Sequence, residues 1–341
     1  MELRRLGQSG LKVSVLSLGA MTFGESQTFM KGVTSSDDEA RRVFDRAIDA
    51  GVNLVDTANV YSEGKSEELV GKWIAGKRDK ILLATKCRFP VGFGVTEKPG
   101  PHALGLSRKH ILEACEASLK RLATDVIDLY QVHMQDGTVR IDETLRALDD
   151  LVTQGKVRYI GCSNYTGYRL TESLFTAEKN RTHRYESVQL QWSLGARGAE
   201  REVIPACRAF GLGTLIWSPL ARGFLTGKYQ RNMKPPAGSR LESWQDSYKA
   251  FDNDRMWKVL DVLGAVAKRR ETTHAAVALA WLLAKPETTS IIVGARNVTQ
   301  LDANLEALDV KLSKDDVDEL DAASKPDWEY PYDFISRIEK W

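Results

Sequence analysis

The chain has 341 residues, enough for one large α/β barrel or two ordinary domains, and 43% of them are hydrophobic, ample for a core. A net charge of +2 with no long run of one sign argues against a nucleic-acid or membrane-surface partner. The start MELRRLGQSGLKVS has no apolar leader core, and no stretch of about 18 apolar residues occurs. The four cysteines (Cys87, Cys115, Cys162, Cys207) form no CxxC pair, so the sequence reads as a soluble cytoplasmic protein with free thiols and no metal site.

In chain order, Glu2 to Val15 reads as a short hairpin, LRRL and LKVSVL around Gly7-Gln8-Ser9-Gly10, that closes one end of a repeating pattern. Leu16 to Gly19 is the first buried strand, and an irregular segment runs on to Thr34. A helix opens at Ser35-Ser36-Asp37-Asp38-Glu39, continues through Val43, Phe44, Ala47 and Ile48 at helical spacing, and stops at Gly51. The alternation is then regular. Strand 54 to 56 precedes helix 66 to 75, Lys80 to Ala84 precedes helix 107 to 121, and Ile127 to Gln131 precedes helix 141 to 154. Val157 to Gly161 precedes a helix from about 167, Ser187 to Leu190 one near Glu200, and Gly213 to Trp217 a long loop and a helix at 253 to 268. A helix at 272 to 284 leads to Ser290 to Val293 and a last helix at 297 to 308. Eight strand and helix pairs imply parallel strands with right-handed crossovers. An open doubly wound dinucleotide-binding sheet would carry GxGxxG after its first strand. None occurs there, and eight repeats in roughly 300 residues match an α/β fold closed as a (β/α)8 TIM barrel.

A barrel places its chemistry where strands hand over to loops at their carboxyl ends. The organising stretch is LVDTANVYSEGKSE, Leu54 to Glu67: Asp56 ends a strand, Tyr61 follows five residues later, and Ser62, Gly64 and Ser66 supply turn chemistry. Other polar residues fall at the same level, namely Lys86, His133, Ser163-Asn164, Gln189, Trp217-Ser218, and Gly294 with Arg296. Singly each has a structural reading, as a turn acid, a solvated lysine or a core histidine. Their convergence on one barrel face reads as an active site.

Along nearly its whole length the sequence resembles the aldo-keto reductase family, in VDTANVYSEGKSE, ATK and YQVHMQD, then IGCSNY, VQLQWSL, WSPLARGFLTGKY and IIVGARNVTQLDANL. GLSRKHI and WSPLARG are similar to the branch holding aryl-alcohol dehydrogenase-like reductases and the β subunits of potassium channels. The resemblance implies one barrel domain over 1–341, and a catalytic tetrad of Asp56, Tyr61, Lys86 and His133 in a nicotinamide-dependent, reversible carbonyl reductase. A free phenol has a pKa of about 10, so the Lys86 ammonium is expected to favour the ionised form of Tyr61 while Asp56 holds the lysine. Tyr61 is then the general acid in reduction, and His133 orients the carbonyl.

The same resemblance implies NADPH. Ser163, Asn164 and Gln189 would hold the nicotinamide carboxamide, and Trp217 would stack on the ring where many relatives carry tyrosine. Thr22, Ser218, Leu220, Arg222, Lys228 and Gly294 join the cofactor set, with a loop to wrap the pyrophosphate and a helix start to receive anions. Arg296 and Gln300 would take the 2′-phosphate and Asn304 the adenine, and an arginine there favours NADPH over NADH. Ala303 stands where many relatives have glutamate, which loosens the grip on adenine. Substrate choice is expected in 25–34, 88–106 and 220–251, joined by the tail from Asp327, the tail over 325–341 lying across the active site. Phe29, Phe89, Phe93, Trp192, Trp244, Tyr248 and Trp328 are the aromatic candidates for an apolar pocket that takes a small-molecule aldehyde or ketone. The other function class is a cofactor-sensing subunit similar to the potassium-channel β proteins, with slow turnover. His133 argues against it, since channel subunits commonly replace that histidine. A homo-oligomer stays open.

Overall fold

The computed structural model describes residues 1–28, 30–92 and 99–338. Strands β1 (Leu3–Arg5) and β2 (Lys12–Ser14) form an antiparallel hairpin. The next eight strands are β3 (Leu16–Gly19), β4 (Leu54–Asp56), β5 (Leu82–Cys87), β6 (Ile127–Val132), β7 (Val157–Ser163), β8 (Tyr185–Gln191), β9 (Gly213–Trp217) and β10 (Ser290–Val293). They pair in parallel and in sequence, and β10 returns to β3, so the sheet closes as a barrel. The chain is a (β/α)8 barrel, as its alternation predicts.

Helices α1 (Asp37–Asp49), α2 (Lys65–Ile74), α3 (Arg108–Leu122), α4 (Ile141–Thr153), α5 (Gly167–Asn180) and α6 (Val203–Phe210) each follow a barrel strand. Helix α1 shows why. The Ser36 Oγ accepts from the Glu39 amide, Asp37, Asp38 and Glu39 offset the positive end of the helix dipole, and Ala40, Val43, Phe44 and Ala47 form one buried stripe. Burying Phe44 alone contributes about 2 kcal/mol.

The strands differ from expectation at their carboxyl ends. β5 runs three residues beyond the expected strand, and β7 two, so Lys86 and Ser163 lie inside strands. Their side chains are polar, but their backbones stay in the ladder, Lys86 opposite Gln131 and Ser163 opposite Gln189. The long loop after β9 holds two short helices, α7 (Arg240–Ser243) and α8 (Gln245–Phe251), ahead of α9 (Asp254–Arg269) and α10 (His274–Leu283). After β10 come α11 (Val298–Leu305), a 3-10 turn at Glu306–Leu308, α12 (Lys314–Ser324) and α13 (Tyr332–Ile335).

Two apolar clusters among the described residues build the barrel, and a third, small one surrounds Tyr61. One large apolar cluster lies between the barrel and its helices. A smaller one fills the barrel interior, where Leu54, Ala84, Leu129, Leu215 and Ile292 meet Leu6 and Val13 of the hairpin. The hairpin therefore caps the amino-terminal mouth of the barrel. Two residues further along each strand the same inward face carries Asp56, Lys86, Gln131 and Trp217, so a polar layer sits directly on the apolar one.

Candidate active site

Lys86 is fully buried, and its three ammonium hydrogens all have acceptors: Asp56 Oδ2 at 2.5 Å, the Thr57 carbonyl at 2.9 Å and the Tyr61 hydroxyl oxygen at 3.4 Å. Because the phenol oxygen accepts from Lys86, its own hydrogen is free to be donated elsewhere. Asp56 Oδ1 in turn accepts from the amides of Gln131 at 3.0 Å and Gln189 at 2.9 Å. An ion pair taken out of water is tolerable only when its remaining polar atoms are satisfied, and here they are.

Tyr61 is held by an unusual turn. Ser62, Glu63 and Gly64 all have left-handed backbones, with φ of 46°, 54° and 91°. Two of them pay the Cβ penalty of that region, offset by hydrogen bonds from Ser62 Oγ to the Gly24 carbonyl and from Ser26 Oγ to Glu63 Oε1, both 2.9 Å. His133 follows β6 directly, its backbone N–H donating to the Cys87 carbonyl at 2.9 Å. Its ring stands edge-on to Tyr61 at 5.7 Å and to Phe89 at 5.1 Å.

Burial pushes the His133 imidazole well below its ordinary value, helped by Lys86 and Arg88, so the ring is neutral. Its Nδ1 is buried with no partner among the described residues. A neutral ring whose buried Nδ1 has no acceptor can carry its proton on Nε2 and so can donate a hydrogen bond from there. Burial also raises the Tyr61 phenol above 10.0, with Lys86 pulling down and Asp56 pushing up. The ammonium acts in the expected direction, but desolvation outweighs it, and the phenol is protonated in the ligand-free chain. This corrects the expectation of a lowered phenol pKa. Burial works against the Lys86 charge, yet Asp56 and Tyr61 together carry it above its ordinary value.

These groups open into a cavity of about 750 Å³. Asp56, Tyr61 and His133 line it, as do Thr22, Ser163, Asn164, Gln189, Trp217, Ser218, Leu220, Arg222, Lys228, Gly294, Arg296, Gln300 and Asn304. Ala303 lines it too. Asn164 has φ 54° and donates to the His133 carbonyl at 2.8 Å, which ties two loops together. Gln300 accepts from the Arg296 amide at 3.0 Å, at the start of α11.

Four cations, Arg222, Lys228, Arg240 and Arg296, face this cavity, and none has a carboxylate partner among the described residues. Asp56, the one carboxylate among the described lining residues, is already engaged by Lys86. Burial and the neighbouring Arg296 and Arg222 push Arg240 down to about 10, and burial, Arg296 and Arg240 lower Lys228. The Arg222 and Arg240 guanidiniums each lie over the Trp244 ring, at 5.4 and 5.5 Å from its centroid, which partly offsets their repulsion. Like charges held together without counter-charges make the local potential positive, which favours an anion.

Of the aromatic candidates, Phe89 and Trp244 line the cavity. Trp192 does not: it is buried behind β8, its indole N–H donating to Glu200 at 2.7 Å and its edge against Trp281. Tyr248 also turns away, because α8 packs it on Tyr229 and its hydroxyl donates to the Met233 carbonyl at 2.8 Å. Trp328 and Tyr332 of the tail clasp Arg201 at 5.3 and 4.9 Å, and no described tail residue lines the cavity. Phe29 and Phe93 lie outside the described residues. Sequence reasoning missed Gln131, although a buried amide in a strand whose alternate positions are apolar was a signal. It also missed Arg240, which nothing in its irregular segment singles out.

The aldo/keto reductase family model matches residues 15–325, and the chain belongs to that family, one of oxidoreductases. It is 40% identical to a Schizosaccharomyces pombe protein named as an aryl-alcohol dehydrogenase, over 92% of each chain. It is 34% identical to the versiconal hemiacetal acetate reductase of Aspergillus parasiticus, over 96% of this chain and 98% of that one. A protein of Arabidopsis thaliana named as a voltage-gated potassium channel β subunit is 36% identical over 91% of this chain and 92% of its own length. No helix among the described residues is long and apolar enough to cross a membrane.

Proposed function

We propose that the chain is an NADPH-dependent reductase that reversibly converts an aldehyde or ketone to an alcohol, with Tyr61 as the general acid. The observation that carries this reading is the saturated Lys86 ammonium, which accounts for the phenol oxygen and leaves the phenol hydrogen free at the cavity wall. NADPH supplies the hydride when bound. Tyr61 gives its proton to the developing alkoxide, Lys86 holds positive charge behind the phenol oxygen, and Asp56 fixes Lys86. His133 donates from Nε2 to the carbonyl oxygen and so orients it. Arg222, Lys228, Arg240 and Arg296 hold the phosphates, Ser163, Asn164 and Gln189 the carboxamide, and Trp217 stacks on the ring. Phe89, Met21 and Val60 line the cavity near Tyr61 and suit an aromatic or bulky carbonyl compound.

The test is NADPH oxidation followed by absorbance with a panel of aromatic aldehydes and bulky ketones, in the parent and in Tyr61→Phe. Turnover in the parent that is lost in the variant supports the reading, and an active Tyr61→Phe overturns it. Similarity to a protein named as a channel β subunit favours a second reading, a cofactor-sensing subunit. Tight NADPH binding without turnover of any panel member would put it first.

A further inference from the structure

Gln131 is a fully buried amide in the middle of the barrel that the reductase mechanism leaves without a task. Its surroundings are specific. Its Nε2 donates to Asp56 Oδ1 at 3.0 Å, the same oxygen that takes the Gln189 Nε2 at 2.9 Å, and its Oε1 accepts from Gln189 at 3.2 Å. A carboxylate oxygen only accepts, so both amides must present their NH2 groups to it, which fixes the orientation of each. Gly161, in the interior of β7, lies alongside: a Cβ there would crowd Ser187 Oγ at 2.7 Å and reach Gln131 Cγ at an ordinary contact distance of 3.4 Å.

The two hydrogens of the Gln189 NH2 group are already shared between Asp56 Oδ1 and Gln131 Oε1 in the ligand-free chain, and on the reductase reading the cofactor carboxamide makes a third claim on them. If Gln189 were the only amide on Oδ1, turning toward the cofactor would strip a buried carboxylate of that donor. We infer that Gln131 is a positioning residue that keeps Asp56 Oδ1 satisfied when Gln189 leaves it, so that cofactor binding does not disturb the Asp56–Lys86 pair. The inference rests on the reductase reading for the identity of the ligand.

The expected effect follows from one hydrogen bond to a charged group. Gln131→Met keeps the volume and removes both the donor and the acceptor, so Gln189 becomes the sole amide on Oδ1. NADPH affinity, measured by fluorescence titration, falls about tenfold. In the Gln189→Met background there is no such competition, and adding Gln131→Met leaves affinity unchanged. A simple packing role would weaken both backgrounds equally, so additive losses overturn the inference, as does unchanged affinity in Gln131→Met. A parent that binds no NADPH removes the reductase reading and this inference with it. A parent that binds while the variants behave additively removes the inference alone. If Gln131→Met does not fold, the NADP+ complex of the parent decides: Gln131 on Asp56 with Gln189 turned to the ligand supports the inference, and Gln189 still on Asp56 overturns it.

Discussion

The Tyr61 hydroxyl accepts from Lys86 and is raised by burial, so its proton is both available and firmly held. Tyr61→Phe should lower kcat by roughly three orders of magnitude and leave the NADPH Kd within about twofold, measured by steady-state kinetics and titration, since general acids contribute 10²–10⁴-fold. The pH profile has a defined sign. On the reductase reading, reduction needs the protonated phenol, which burial raises above its ordinary value, so kcat should stay flat through neutrality and fall only in strong alkali. His133, held well below 6.5, should add no inflection near that value. Its depressed pKa means that the unfolded chain binds this proton first, so the stability it contributes is lost as pH falls below about 6.5. The acid-side loss in urea midpoint should be smaller in His133→Gln. Arg240 gives opposing signs. Without ligand, Arg240→Gln removes a repelled, half-buried charge and Tm should hold or rise, while NADPH affinity drops by tenfold or more. At this scale the sequence was readable for groups with a motif around them. Gln131 and Arg240 act through neighbours brought from other strands and loops, and no local spacing announces that.

Elements carry the site by their ends. The alternation located all eight barrel strands, but several stop short on paper because Lys86 and Ser163 look like loop residues when only side-chain polarity is read. Their backbones stay paired because a barrel interior can bury polar side chains in a satisfied layer. Helix α12 escaped notice although Ser313 and Asp316 form a capping box, since its apolar stripe is thin. Trp192 and Tyr248 were misplaced for a related reason: aromatic residues in irregular segments fill gaps between elements as readily as they line cavities. One close approach is testable. A Cβ on Gly71 of α2 would sit 2.4 Å from the Leu122 carbonyl at the end of α3, a backbone contact with no flexible atom to yield. Gly71→Ala should therefore cost roughly 1–3 kcal/mol as an overpacked contact, read from the urea midpoint, despite the better helix propensity of alanine.

Over the whole molecule, the four cysteines are buried, and burial raises the thiols of Cys87, Cys115 and Cys207 to about 12. They should resist alkylation at neutral pH until the barrel opens, so the rate of iodoacetamide labelling, followed by intact mass, should track global unfolding. The hairpin has a different consequence. With Leu6 and Val13 packed under Leu54, Ala84 and Leu129, the barrel has a floor, and the fully buried Lys86 stands behind Tyr61, which together with His133 lines the cavity. Whatever fills the cavity is then a stopper. While it stays, the Lys86 ammonium hydrogens have no bath to trade with, so their deuterium exchange rate becomes a stopwatch for the ligand's departure.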